Sequence, residues 1–156
     1  MKIRHPLFVG LVAAFAVSLA STAVSAGAAE TPFKGTFTAV ETSQLVFPIL
    51  SVNREGTGTA TYLGKYTEHA TFQVDVRTGS ATGAATFTAA NGDTLTASVV
   101  GQGTPTGPTT RSIVEVYTIT GGTGRFAGAT GTLTLERTLD LTTGVSSGTF
   151  SGAIDH

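Results

Sequence analysis

The stretch VEVYTITGGTGRFAGATGTLTLER, residues 114–137, decides the fold. At its centre, Gly122-Thr123-Gly124-Arg125-Phe126-Ala127 matches the G-x-G-x-x-A form of a dinucleotide-binding loop. Such a loop requires a helix to begin there, because the helix N-terminus holds the pyrophosphate. Gly128 and Gly131 interrupt any helix, and Leu133 and Leu135 then alternate with Thr132 and Thr134, the period of a strand. No βαβ unit surrounds the loop, and no Gly-Lys-Ser/Thr marks a P-loop. The phosphate reading fails. What remains is a tight corner: a strand, the glycines Gly121, Gly122 and Gly124, one helical turn over 124–127 carrying Phe126, then Gly128, Gly131 and a new strand. Phe126, an aromatic beside glycines in a corner, is expected to plug the bottom of the fold, and Arg125 to brace the loop from the surface.

Outward from this corner the period is two almost everywhere from Thr31 onward. Strands are expected over 33–40, 44–52, 56–63, 65–76, 80–89, 93–103, 111–120, 128–139 and 145–154. Pro48 lies inside the second and demotes it to an edge, a bulge or a bend. Gly64 is the expected kink between the third and fourth, and Arg77-Thr78-Gly79 a turn. Asn91-Gly92 is the strongest hairpin signal, since both residues tolerate positive φ. GQGTPTGPTT, residues 101–110, is the one Pro/Gly-rich loop and the expected lid or rim.

Eight or nine short strands in succession form an up-and-down antiparallel meander. An open edge on so uncharged a sheet invites aggregation, and closure removes it. Gly35, Gly58, Gly64, Gly83, Gly131, Gly148 and Gly152 supply the bends of a small barrel. The expected fold is therefore all-β, a small closed antiparallel barrel of about eight strands; two packed sheets are the alternative.

The N-terminus reads as an address. Lys2, Arg4 and His5 precede the apolar run LFVGLVAAFAVSLA, and Val24-Ser25-Ala26 has the small-residue pattern of a signal-peptidase site. Residues 1–26 are read as a signal peptide, with cleavage within Ala26–Ala29, and 27–156 as one exported domain. An uncleaved anchor is the alternative, although the run falls short of the ~20 residues of a membrane helix. No second apolar segment of spanning length follows, so no membrane span is expected after signal removal. With no cysteine, disulfides and thiolate chemistry are excluded. Without the signal, seven Lys/Arg stand against ten Asp/Glu. No basic cluster exists to meet several phosphates at once, and nucleic acid is not an expected partner.

Standard catalytic constellations are missing. His69 and His156 are the only histidines after the signal, too few for a histidine metal cluster, and no cofactor is expected. His69 shares a polar face with Thr67, Thr71 and Gln73 and is read as solvated. Three charges interrupt apolar faces: Glu68 beside Tyr66, Ala70 and Phe72; Glu115 beside Ile113, Tyr117 and Ile119; Arg137 beside Leu133, Leu135 and Leu139. If these faces turn inward, Tyr66, Glu68, Glu115, Tyr117 and Arg137 meet in the barrel mouth as candidate ligand-binding residues. A desolvated Glu could then act as general acid or base, and Arg could orient a carboxylate. If Val114 and Val116 face inward instead, Glu115 stands in water, and inward charges could equally form a buried ion pair.

The 114–137 segment resembles the signature of the allene oxide cyclase and dirigent barrels, in which a strand ends in a GGTG-aromatic-x-x-A-x-G segment and a new strand begins. It is also similar to bacterial exported proteins sharing the GTGRFAGATG core. The resemblance implies an eight-stranded antiparallel barrel with an apolar cavity at one end, assembled as a trimer. It carries over structural glycines and no active-site position. Three functions follow as expectations. The first is an exported module binding a small apolar or amphipathic molecule. The second is a cyclase- or isomerase-type enzyme whose cavity confines a reactive intermediate. The third is a structural protein with a filled barrel.

Overall fold

In the computed structural model the described residues run from Thr31 to Asp155. The expected signal peptide, its cleavage site and His156 lie outside them. Eight strands follow one another: β1 (Thr31–Val46), β2 (Ile49–Ala60), β3 (Gly64–Asp75), β4 (Ser80–Ala89), β5 (Thr94–Pro105), β6 (Thr110–Gly122), β7 (Thr130–Asp140) and β8 (Val145–Asp155). Each pairs antiparallel with the next, and β8 returns to β1, so the sheet closes into an up-and-down barrel with no free edge. The alternative of two packed sheets does not occur.

Alternation builds the wall. Phe, Leu and Ala at alternate positions turn inward, while Thr and Lys, with Val40, Val100, Val114 and Val116, turn out. Across the outer ladder, Thr hydroxyls pair, as in Thr36–Thr59 (3.2 Å) and Thr96–Thr120 (3.2 Å). An eight-stranded barrel is just wide enough for side chains to fill. Phe150 is the hub of that filling, with its ring 5.2–6.3 Å from those of Tyr117, Phe87, Phe37 and Phe33, mostly edge to face.

Several expectations need correction. Residues 44–52 are not one strand: 44–46 end β1, 49–52 begin β2, and Phe47-Pro48 form the turn between them. A proline with no N–H to give is accommodated where the ladder requires no donor. The chain from 49 to 60 is then continuous, and the break before β3 falls at 61–63, where Tyr62 takes φ +67° just before Gly64. The Pro/Gly-rich loop is shorter than expected, because β5 runs on to Pro105 and β6 starts at Thr110. At the Asn91-Gly92 turn only Gly92 takes positive φ (+89°). The loop is a three-residue one, closed by Ala89 N–H donating to Asp93 O (2.9 Å).

The corner is as read from 114–137. β6 ends in a bulge, with Thr96 opposite Gly121 and Ala97 opposite Ile119, and a single 3-10 turn over Gly124–Phe126 follows. Phe126 is fully buried and closes this end of the barrel. Arg125 lies over its ring at 5.0 Å and reaches Asp93 at 3.7 Å, a brace on the outside. Among the described residues, no helix is long and apolar enough to cross a membrane.

Candidate functional site at the open end

The two ends of the barrel differ. At the corner end, Phe33, Leu63, Leu95, Phe126 and Ile154 fill the interior. At the other, where the turns 47–48, 76–79, 106–109 and 141–144 lie, a cavity of about 290 Å³ opens into the barrel. Its walls are Leu50, Val52, Phe72, Val74, Ala81, Ile113 and Leu139, with Gly79 and Gly103 contributing only backbone. Glu41, Arg111, Glu115 and Arg137 supply its polar groups.

Beneath this cavity runs a buried ionic network centred on Arg54, whose side chain has no exposed surface. Its Nε and Nη2 donate to the two oxygens of Glu68 (3.0 and 2.8 Å). Its Nη1 donates to both oxygens of Glu115 (3.0 and 2.8 Å), and Nη2 also donates to the Tyr117 hydroxyl. That hydroxyl has Glu115 Oε2 (2.9 Å) and Glu68 Oε1 (3.2 Å) within donating distance. The guanidinium lies between the rings of Phe37 (5.0 Å) and Phe72 (4.6 Å). Gly56 leaves the space: a Cβ there would come within 2.9 Å of both Glu68 Oε2 and the Phe37 ring.

Arg137 links the network to the cavity. Its Nε and Nη2 donate to Glu115 Oε1 (3.2 and 2.8 Å) and its Nη1 to Glu41 Oε1 (2.5 Å). These bonds leave two of its five N–H groups without a partner among the described residues. Arg111 stands apart, half-buried, with one hydrogen bond from Nη1 to the carbonyl of Thr110 (3.1 Å) and no carboxylate partner among the described residues.

The two inner carboxyls are driven in opposite directions. Burial raises Glu68, and its one guanidinium, Arg54, does not offset this. Burial pushes Glu115 up as well, but Arg54 and Arg137 together outweigh it and hold the group below its ordinary value. Burial, with the nearby carboxylates, also raises the Tyr117 hydroxyl, which stays protonated.

All five candidate residues turn inward, while Val114 and Val116 are exposed on the outer face. They separate by depth. Glu115 and Arg137 reach the cavity. Glu68 and Tyr117 lie under it, bound into the Arg54 network. Tyr66 is deeper still, its hydroxyl donating to Thr36 O (2.7 Å) across Gly58. Sequence reading missed Arg54, Glu41 and Arg111; the alternation Leu50-Val52-Arg54 was the available signal for the first. His69 is exposed and pairs with Glu55 (2.6 Å). A larger hollow of about 560 Å³ on the outside of β8, β1 and β2 is shallow and lined by Thr hydroxyls, without a buried polar group. Comparison with protein-family models, curated proteins and solved structures finds no match for this chain.

Proposed function

We propose that this protein is an exported barrel that binds a small amphipathic molecule in its open end. One observation carries the reading: only one end is filled to the rim, and the other keeps an apolar-walled cavity of about 290 Å³ with unused guanidinium donors at its base. Apolar walls with a few placed polar groups are the usual make-up of a small-molecule site. The resemblance of 114–137 to the cyclase and dirigent barrels supports the same reading, since it implies a cavity at one end. A catalytic role has less support: the carboxyl with the raised pKa, Glu68, is enclosed by Arg54 and Tyr117 below the cavity. Export rests on the N-terminal sequence alone.

Native mass spectrometry of the chain recovered from its own host tests this. The expected spectrum has a retained small molecule and a mass short of the first 26 or so residues. Gly103→Leu is the control. A Cβ there would have nothing closer than Gly79 O and Ile113 Cγ1, both at 3.8 Å, so the rest of the side chain enters the cavity. It should keep the fold and lose the adduct. Bare protein in both cases, with no uptake from a panel of amphipathic molecules, would sink the proposal.

A further inference from the structure

Resting on that cavity reading, we infer the class of occupant: a compact, ring-bearing organic monocarboxylate whose anionic group meets Arg111 while its ring lies against the β2–β4 arc. Polarity around the cavity is one-sided. Its charged side chains come from β1, β6 and β7, whereas β2, β3 and β4 contribute Leu50, Val52, Phe72, Val74 and Ala81. On the charged side, the charge of Arg137 is already met by Glu41 and Glu115. Arg111 does not share in this. It faces Leu139 across the ladder and has Ile113 as its inward neighbour on β6, so a cation stands at an apolar rim with one hydrogen bond to its own strand.

A partly desolvated guanidinium gains most from a planar anion that accepts two parallel bonds, which a carboxylate does. The two carboxylates at the same mouth, Glu41 and Glu115, disfavour a dianion such as phosphate. Size fixes the rest. The cavity's about 290 Å³ lies at the lower edge of the ~300–1,000 Å³ of small-molecule sites. It cannot extend downward, because Arg54 between Phe37 and Phe72 closes the floor. A long alkyl chain has no room to follow the barrel axis. A ring would lie against Phe72, Val74 and Ala81 on the β2–β4 arc.

Titration calorimetry of the full chain with phenylacetate, its neutral isostere phenylacetamide, and laurate tests the inference. Phenylacetate should bind about tenfold tighter than the amide or better. That advantage should shrink as salt rises. Arg111→Gln should remove it, bringing acid and amide to comparable affinity; the comparison in the native chain needs no variant. Equal binding of acid and amide overturns the anionic half and leaves the cavity reading standing. Tighter binding of laurate overturns the compact body. If none of the three binds while native mass spectrometry still finds an adduct, this inference alone falls. If no adduct is found either, the cavity reading falls with it.

Discussion

Arg54 is a fully buried guanidinium whose three nitrogens all donate, to two carboxylates and a phenol. Its removal leaves Glu68 and Glu115 facing each other without the charge that holds them together. Arg54→Met should therefore cost about 3–5 kcal/mol, read as a shift of the urea midpoint. Arg54→Lys should fail to restore most of it, because a point charge cannot replace a fork that grips two carboxylates. The same network predicts two pH dependences of opposite sign. Glu68 is raised by burial, so its contribution to stability is present below the ordinary value of 4.5 and is lost as pH rises through the raised value. Glu68→Gln mimics the protonated form, and its stability relative to the native chain should improve as pH rises. Glu115 is lowered, so its contribution is present above 4.5 and is lost as pH falls through the lowered value. Glu115→Gln should lose ground relative to the native chain over that rise. Urea titrations between about pH 3 and pH 7 check both, and parallel curves would refute the assignment of opposite shifts.

At the scale of elements, the corner is where backbone approach is tightest. A Cβ on Gly122 would collide with Thr94 O and stand 2.8 Å from Phe126 Cβ. Gly131 combines φ +136° with a position from which a Cβ would stand 2.8 Å from the Cα of Ile154. Gly122→Ala should destabilise by about 1–3 kcal/mol in a denaturant titration, since Thr94 O belongs to the backbone and the Cβ of the buried Phe126 cannot swing aside. Gly103→Ala, in open cavity space, should be close to neutral. This contrast was partly legible in the sequence. The alternation of Thr and Leu after Gly131, with the missing helix, gave away the corner and the meander. Pro48 misled because it sits between two strand-like runs, and joining 44–52 hid the continuity of β2. With that continuity lost, Arg54 stood among Asn53 and Glu55 in an apparent loop, its inward parity with Val52 invisible. Glu41 falls just past the strand expected over 33–40 and Arg111 at the first residue of that expected over 111–120, where two or three apolar neighbours do not establish a face. Depth was the other hidden quantity. Parity assigns a side chain to the interior, but only the register across all eight strands ranks Tyr66 below Glu68 and Glu68 below Arg137.

For the whole molecule, closure is sequential: each strand pairs with its chain neighbours, and only β1 with β8 joins distant parts. Thr31 lies opposite Ile154, so the described ends meet in the wall. A circular permutant linking Asp155 to Thr31 through a short glycine linker, opened between Gly107 and Pro108, preserves every ladder. It should fold to the same circular-dichroism spectrum with only a modest fall in urea midpoint. Loss of the fold would mean that the 106–109 connection does more than join β5 to β6.

Every strand spans the distance between the filled end and the open one, so each carries two kinds of position in a single stretch of chain. Substitutions near Phe33, Phe87 or Leu133 disturb the packing that all eight strands share. Those near Leu50, Val74 or Leu139 change the shape of a space and leave that packing alone. A deep mutational scan scored for folding should therefore show tolerance rising along the odd-numbered strands, which run from corner to mouth, and falling along the even-numbered ones, which run back. In such a molecule the open end can change its shape without renegotiating the stability of the filled one.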